Sequence, residues 1–339
     1  MAGSAVLSSP PPVRRVRSPV GPILLFGLER SGTSWLGKIF DSHPDTLYRH
    51  EPERVLEDFG LPWVCPEAPS AELRAAAGDY LRRMIATATV ATTGPAPRFR
   101  KAWRSPARAG LHIALTEGLR TLARFDPRRG GLHNLPLPDL AGGAPPRMVV
   151  KSISGHGRAA LLAEADPTAL VVVLLRDPGG QVDSVLRGST SGKFVEPTEL
   201  DWIPPTRPAR RHGLTATALA RMDRIEQLAW QWVVRNEMLL DDLDGAANAT
   251  VLRYDDLCAD PEAEARRLFG FAGLPWHPQT AAFLAASTSG NGAQGYYSVF
   301  RDPATSLHRW RSRLGETDQR RIGAILRRSP LARWWPDFP

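Results

Sequence analysis

Cysteine is scarce in this chain: there are two in 339 residues, Cys65 and Cys258, far apart. Neither a disulfide framework nor a zinc-ligand spacing can be built from them, which favours a reducing compartment. No apolar run approaches the roughly 18–20 residues of a membrane span. Arg14, Arg15 and Arg17 precede only a short apolar run that itself holds a loop motif. No signal peptide is read there, and a cytoplasmic location is expected. The sequon Asn248-Ala249-Thr250 is then a chance match. Dense Lys/Arg runs with interleaved aromatics are also missing, although the net charge is +8. The arginines are scattered, with doublets such as Arg128–Arg129, Arg210–Arg211 and Arg320–Arg321. That distribution suits a small anionic ligand better than a polynucleotide. There is no internal repeat.

What is present begins at residues 22–40, PILLFGLERSGTSWLGKIF. An apolar run, Ile23–Phe26, meets a turn with Gly27 and Gly32. Thr33 and Ser34 follow, then an apolar-periodic helix carrying Trp35, Leu36, Ile39 and Phe40. The spacing Gly27-x-x-x-x-Gly32-Thr33-Ser34 is that of a P-loop, with Thr33 where the lysine of G-x-x-x-x-G-K-[ST] would stand. Loop amides and a helix N-terminus still offer an anion site. Arg30 brings a charge from inside the loop. The competing reading is a strand-to-helix turn without a ligand.

Further along, residues 1–20 hold four prolines and several serines, the composition of a disordered tail. A short strand is expected at 47–50. Residues 53–145 are rich in Pro, Ala and Gly, with helical patches near 71–89 and 107–124, and read as an insertion on the substrate side. Strands are expected at 148–151, 170–175 and 250–253. Helices are expected near 156–165, 181–187, 215–243, 261–272 and 316–328, with loops at 188–212 and 286–306. Leu170–Leu175 is all valine and leucine, as in a strand buried on both faces of a parallel sheet. The alternation predicts an α/β protein: a P-loop-like central parallel sheet flanked by helices, in one domain over 21–339 with a largely helical insertion.

A second signal is Arg176, directly after that buried strand, with Ser184 eight residues later. Ligands of open parallel sheets gather at this edge. An arginine fork with a hydroxyl can hold a phosphate, or the arginine can simply pair with Asp177.

Together, Arg30-Ser31-Gly32-Thr33-Ser34-Trp35 and Arg176-Asp177-Pro178…Ser184 resemble the sulfotransferases that use 3′-phosphoadenosine 5′-phosphosulfate (PAPS). Lys151-Ser152, Tyr254-Asp255-Asp256-Leu257 with Pro261, Arg301 and Trp310-Arg311 resemble later family segments, in the family's order. Ser42-His43-Pro44-Asp45 and His50-Glu51-Pro52 are similar to the carbohydrate sulfotransferase branch and its bacterial relatives. The resemblance implies that Arg30, Ser31, Gly32, Thr33, Ser34 and Trp35 cradle the 5′-phosphosulfate. It implies likewise that Arg176 and Ser184 hold the 3′-phosphate, that Tyr254 lies near the adenine and that Arg301 closes over the cofactor. No metal is expected.

The cytosolic aryl and steroid members place a histidine two residues after the strand-end lysine; here that position is Ile153. Glu51 is therefore the candidate base, with His50 next and His156 after it. Glu51 could instead be a turn residue paired with Arg49 or Arg54. Arg30 and Lys151 are expected to stabilise the leaving oxygen. The acceptor is expected to be a hydroxyl of a carbohydrate or glycosylated small molecule. Its pocket should be lined by 53–145 and 188–212, where Trp63, Trp103 and Trp202 are available to stack on sugar faces or a lipid, or equally to fill a local core. Two rival readings stand beside this one: a small-molecule P-loop kinase using ATP and Mg²⁺, and a nucleotide-binding module without catalysis.

Overall fold

The structure is a computed structural model that describes residues 21–56, 60–123, 125, 131–143, 146–190, 200–289 and 307–339. At its centre is a five-stranded sheet: β1 (Ile23–Gly27), β2 (Thr46–His50), β3 (Arg147–Ser152), β4 (Leu170–Leu175) and β5 (Ala249–Arg253). The order is β2-β3-β1-β4-β5 and every pairing is parallel. β1 and β4 are buried throughout, which is why they read as unbroken apolar runs rather than alternating ones.

Alternate residues of the strands feed two cores. Ile23, Leu25, Val172 and Leu174 face helix α1 (Thr33–Asp41) and three helices that follow β5. Leu24, Phe26, Val171 and Val173 face the other layer. That layer includes α2 (Ala71–Ala86), α4 (Ala159–Ala165), α5 (Pro178–Thr190), α8 (Arg224–Asp242) and the C-terminal helix Glu316–Leu326. The insertion is helical as expected, supplying α2 and α3 (Pro106–Ala123).

The topology selects one place on the sheet edge. The connection after β1 leads to β2 on one side, and the connection after β4 leads to β5 on the other. Neighbouring strands whose crossovers diverge leave a crevice at their carboxyl ends. The residues after β1 and after β4 border it.

Some elements differ from the sequence reading. The helix expected over 215–243 is two, α7 (Ala216–Arg221) and α8. Met222 is extended, and Asp223 with Glu226 forms a reciprocal capping box that restarts the helix. The segment read as loop over 188–212 holds α6 (Arg207–His212), capped by Thr206 and closed by Gly213 in the left-handed region. Two further helices, α9 (Tyr254–Ala259) and α11 (Pro278–Thr288), were not anticipated; α10 (Pro261–Ala272) was. Part of the loop read at 286–306 is thus the end of α11, and the rest, with Arg301, lies outside the described residues.

Candidate active site at the carboxyl edge of the sheet

The β1–α1 loop turns tightly. Ser31 donates from both its backbone N–H and its hydroxyl to the Leu28 carbonyl, at 3.2 and 2.6 Å. Arg30 and Gly32 have φ of 67° and 98°. The left-handed conformation at Arg30 costs about 1–2 kcal/mol. Gly32 is needed twice over: a Cβ there would also sit 2.5 Å from the Tyr254 ring. No side chain caps the first turn of α1, so its leading amides present the partial positive charge that attracts an anion. Thr33 and Ser31 are buried and Ser34 is half-buried.

The predicted pair after β4 meets this loop. Arg30 Nε donates to Ser184 Oγ at 3.0 Å, and Arg176 Nη1 donates to the Arg30 carbonyl at 2.6 Å. The Arg176 guanidinium lies 5.0 Å from the Tyr254 ring centre, a cation–π contact. Trp35 approaches Tyr254 edge-on at 6.3 Å and donates its indole N–H to Ser287. One crevice therefore gathers Arg30, Ser31, Gly32, Thr33, Trp35, Arg176, Ser184 and Tyr254. Asp177 is not paired with Arg176 in a close ion pair. It accepts from the Gly180 amide at 2.8 Å and caps α5. Burial, with a contribution from Asp255, pushes its carboxyl up to about 7.

On the other side of β1, Glu51 directly follows β2 and Lys151 lies next to the end of the neighbouring β3. The register sets His50 opposite Lys151, and the Glu51 amide donates to the Lys151 carbonyl at 2.8 Å. Lys151 Nζ contacts Glu51 Oε1, and Arg54 Nη1 is 3.0 Å from Oε2. Glu51 has φ 44°, an unfavourable backbone region for a residue other than glycine. Burial alone would raise its proton affinity; Lys151, His50 and Arg54 together outweigh burial and hold it well below the usual carboxylate range. His50 is pushed down to about 3 by burial and then by Lys151, with its Nδ1 bonded to the Tyr48 hydroxyl at 2.9 Å. His156 is buried, its ring 5.1 Å from Trp63 and 6.0 Å from Trp202. Trp103 is elsewhere, buried with its indole N–H on the Thr46 carbonyl.

Sequence reasoning missed the support of the loop. Glu29 forms a bidentate ion pair with Arg235 of α8, Nη2 to Oε2 at 2.5 Å. Burial opposes ionisation of Glu29, but Arg235 prevails and lowers its proton affinity. Gln181 donates to the Glu29 carbonyl at 2.9 Å, and Trp232 to the Arg176 carbonyl at 3.1 Å. A charged Arg235 within the buried stripe of α8 was the available signal.

An uncapped helix start and two guanidiniums at the divergent crossovers of a parallel sheet are groups that suit an anion. The profile of the "Sulfotransferase family" matches residues 22–278, and the chain belongs to that family. It is accordingly a transferase of the sulfotransferase class. It is similar to human carbohydrate sulfotransferase 1, 22% identical over 86% of this chain and 74% of that protein. It is also similar to rat carbohydrate sulfotransferase 7, 25% identical over 87% and 70% respectively. Among solved structures, a mouse sulfotransferase complexed with PAP matches at 12% identity, covering 95% of this chain and 90% of that one, with a TM-score of 0.48. No helix among the described residues is long and apolar enough to cross a membrane.

Proposed function

We propose that this sulfotransferase moves the sulfuryl group of PAPS to a hydroxyl of a carbohydrate or glycosylated small molecule, releasing a sulfate ester and adenosine 3′,5′-bisphosphate. One observation carries the reading: Arg30, Arg176 and Ser184 meet within hydrogen-bond distance, so both phosphate-binding motifs open into one crevice. The α1 amides with Ser31, Thr33 and Ser34 are assigned the 5′ end, Arg176 and Ser184 the 3′-phosphate, and Tyr254 the base. Similarity to carbohydrate sulfotransferases supports the acceptor class.

PAPS supplies an activated sulfuryl group. The new O–S bond forms as the bridging S–O bond breaks, and the electron pair leaves on the phosphate. The acceptor proton passes to Glu51. With Lys151 and Arg54 on its two oxygens, Glu51 is a poor base. Transfer of the Lys151 ammonium from Glu51 to the departing oxygen raises Glu51's proton affinity at the moment a base is required. It also neutralises the leaving group. His50, neutral and bonded through Nδ1 to the Tyr48 hydroxyl, is the second candidate for the base.

Glu51→Gln tests this. Turnover of labelled sulfate is expected to fall about 100-fold or more, while bisphosphate affinity by calorimetry stays within twofold. Unchanged turnover would remove Glu51 from the base role.

A further inference from the structure

Among the described residues seven large apolar side chains are exposed, and six of them lie within 111–135. Four belong to α3: Leu111, Ile113, Leu115 and Leu122. Phe125, two residues past the helix, is 81% exposed. Leu111, Leu115 and Leu122 are spaced by four and by seven, so they stand in one row on the helix. Gly118 takes the remaining position of that row, and a Cβ there would meet nothing within 4 Å.

A surface helix ordinarily buries its apolar face and exposes its polar one. α3 does the reverse. Its buried residues are His112, Thr116 and Ala123. Arg120 turns inward, its Nη2 donating to the Val90 carbonyl and to the Thr93 hydroxyl, each at 3.1 Å. Neither core of the sheet receives a side chain from α3. The leucine row therefore adds nothing to those cores, and a contiguous apolar surface of this kind marks an interaction site.

Charge selects the partner. Residues 98–129 hold nine Lys/Arg and two Asp/Glu, a net +7 beside +8 for the whole chain. Arg98 pairs with Glu117, and Lys101 with Asp41. Arg100, Arg104, Arg108 and Arg120 have no ion-pair partner among the described residues. Arg108 is exposed three residues before Leu111, on the side of the leucine row. An apolar row bordered by arginines is the pattern of a helix lying in the headgroup layer of an anionic bilayer. A second copy fits less well, because a two-fold contact sets the patch against itself and brings like charges together. A polynucleotide would pair with the arginines but leave the leucines in water.

We infer that α3 docks on an anionic lipid bilayer, with the leucine row and Phe125 toward the acyl chains and the arginines toward the headgroup phosphates. This inference does not rest on the sulfotransferase reading.

Flotation of the intact protein tests it, with vesicles of phosphatidylcholine alone and with about 30% phosphatidylglycerol added. The parent chain should bind the anionic vesicles at least tenfold more tightly than the neutral ones, and less tightly as salt rises. The combined variant Leu111→Gln, Leu115→Gln, Leu122→Gln changes exposed positions to another good helix former. It should lose at least tenfold in vesicle affinity with an unchanged melting temperature. Arg108→Gln should lose roughly fivefold, the effect of one arginine at an anionic surface.

Absence of binding, equal binding to both vesicle types, or parent-like affinity in the triple variant would overturn the inference. A parent dimer that the triple variant disperses, with no vesicle binding, would assign the row to a second copy instead. Tight binding of a DNA duplex without vesicle binding would assign the charge to nucleic acid and overturn it equally.

Discussion

At the scale of single residues, two carboxyl groups sit in the same edge of the sheet with opposite displacements. Glu51 is held ionised because Lys151 and Arg54 outweigh burial. Asp177 is pushed up to about 7 because burial and Asp255 outweigh the nearby arginines and the Gly180 amide. A raised carboxyl binds more protons in the folded chain than in the unfolded one. Its contribution to stability is therefore present below the unfolded value and is lost as pH rises through about 7. Asp177→Asn keeps an oxygen for the Gly180 amide and removes the titration. Its melting temperature should gain on the parent chain between pH 5 and pH 8, by on the order of a few degrees. A gap between the two chains that does not change with pH would refute this assignment of the charge.

At the scale of elements, the β1–α1 loop is a conformation forced by sequence. Gly32 alone of the loop residues combines a left-handed φ with direct approach to an aromatic ring. Gly32→Ala should cost about 1–3 kcal/mol of stability and weaken bisphosphate binding at least tenfold, read by thermal melting and calorimetry. Wild-type affinity in this variant would mean that the loop does not hold the phosphate.

The same scale shows what could be read from residues. The loop and β4 were legible because glycine spacing and an unbroken valine-leucine run are local signals. The split between α7 and α8 was written as Asp223-x-x-Glu226, yet the apolar positions on either side mimic one continuous period. α6 carried its Thr206 cap and Gly213 stop inside a segment whose prolines suggested only loop. The Glu29–Arg235 pair and the Trp232 bond to the Arg176 carbonyl were not legible, because each joins residues far apart in the chain. Local pattern located the groups that face the ligand; the groups that hold those groups in place emerged only with the packing.

At the scale of the molecule, the order β2-β3-β1-β4-β5 brings the ends of β1 and β4 side by side. α8 secures both: Arg235 holds the loop after β1, and Trp232 holds the backbone after β4. One doubly phosphorylated adenosine is proposed to span these two strand ends. Calorimetry without added divalent cation tests it, comparing adenosine 3′,5′-bisphosphate with adenosine 5′-phosphate on the parent chain, Arg176→Ala and Ser184→Ala. Both variants should lose roughly 10- to 100-fold in affinity for the bisphosphate and little for the 5′-phosphate. Equal losses for the two ligands in both variants, or bisphosphate binding only when Mg²⁺ is added, would contradict it.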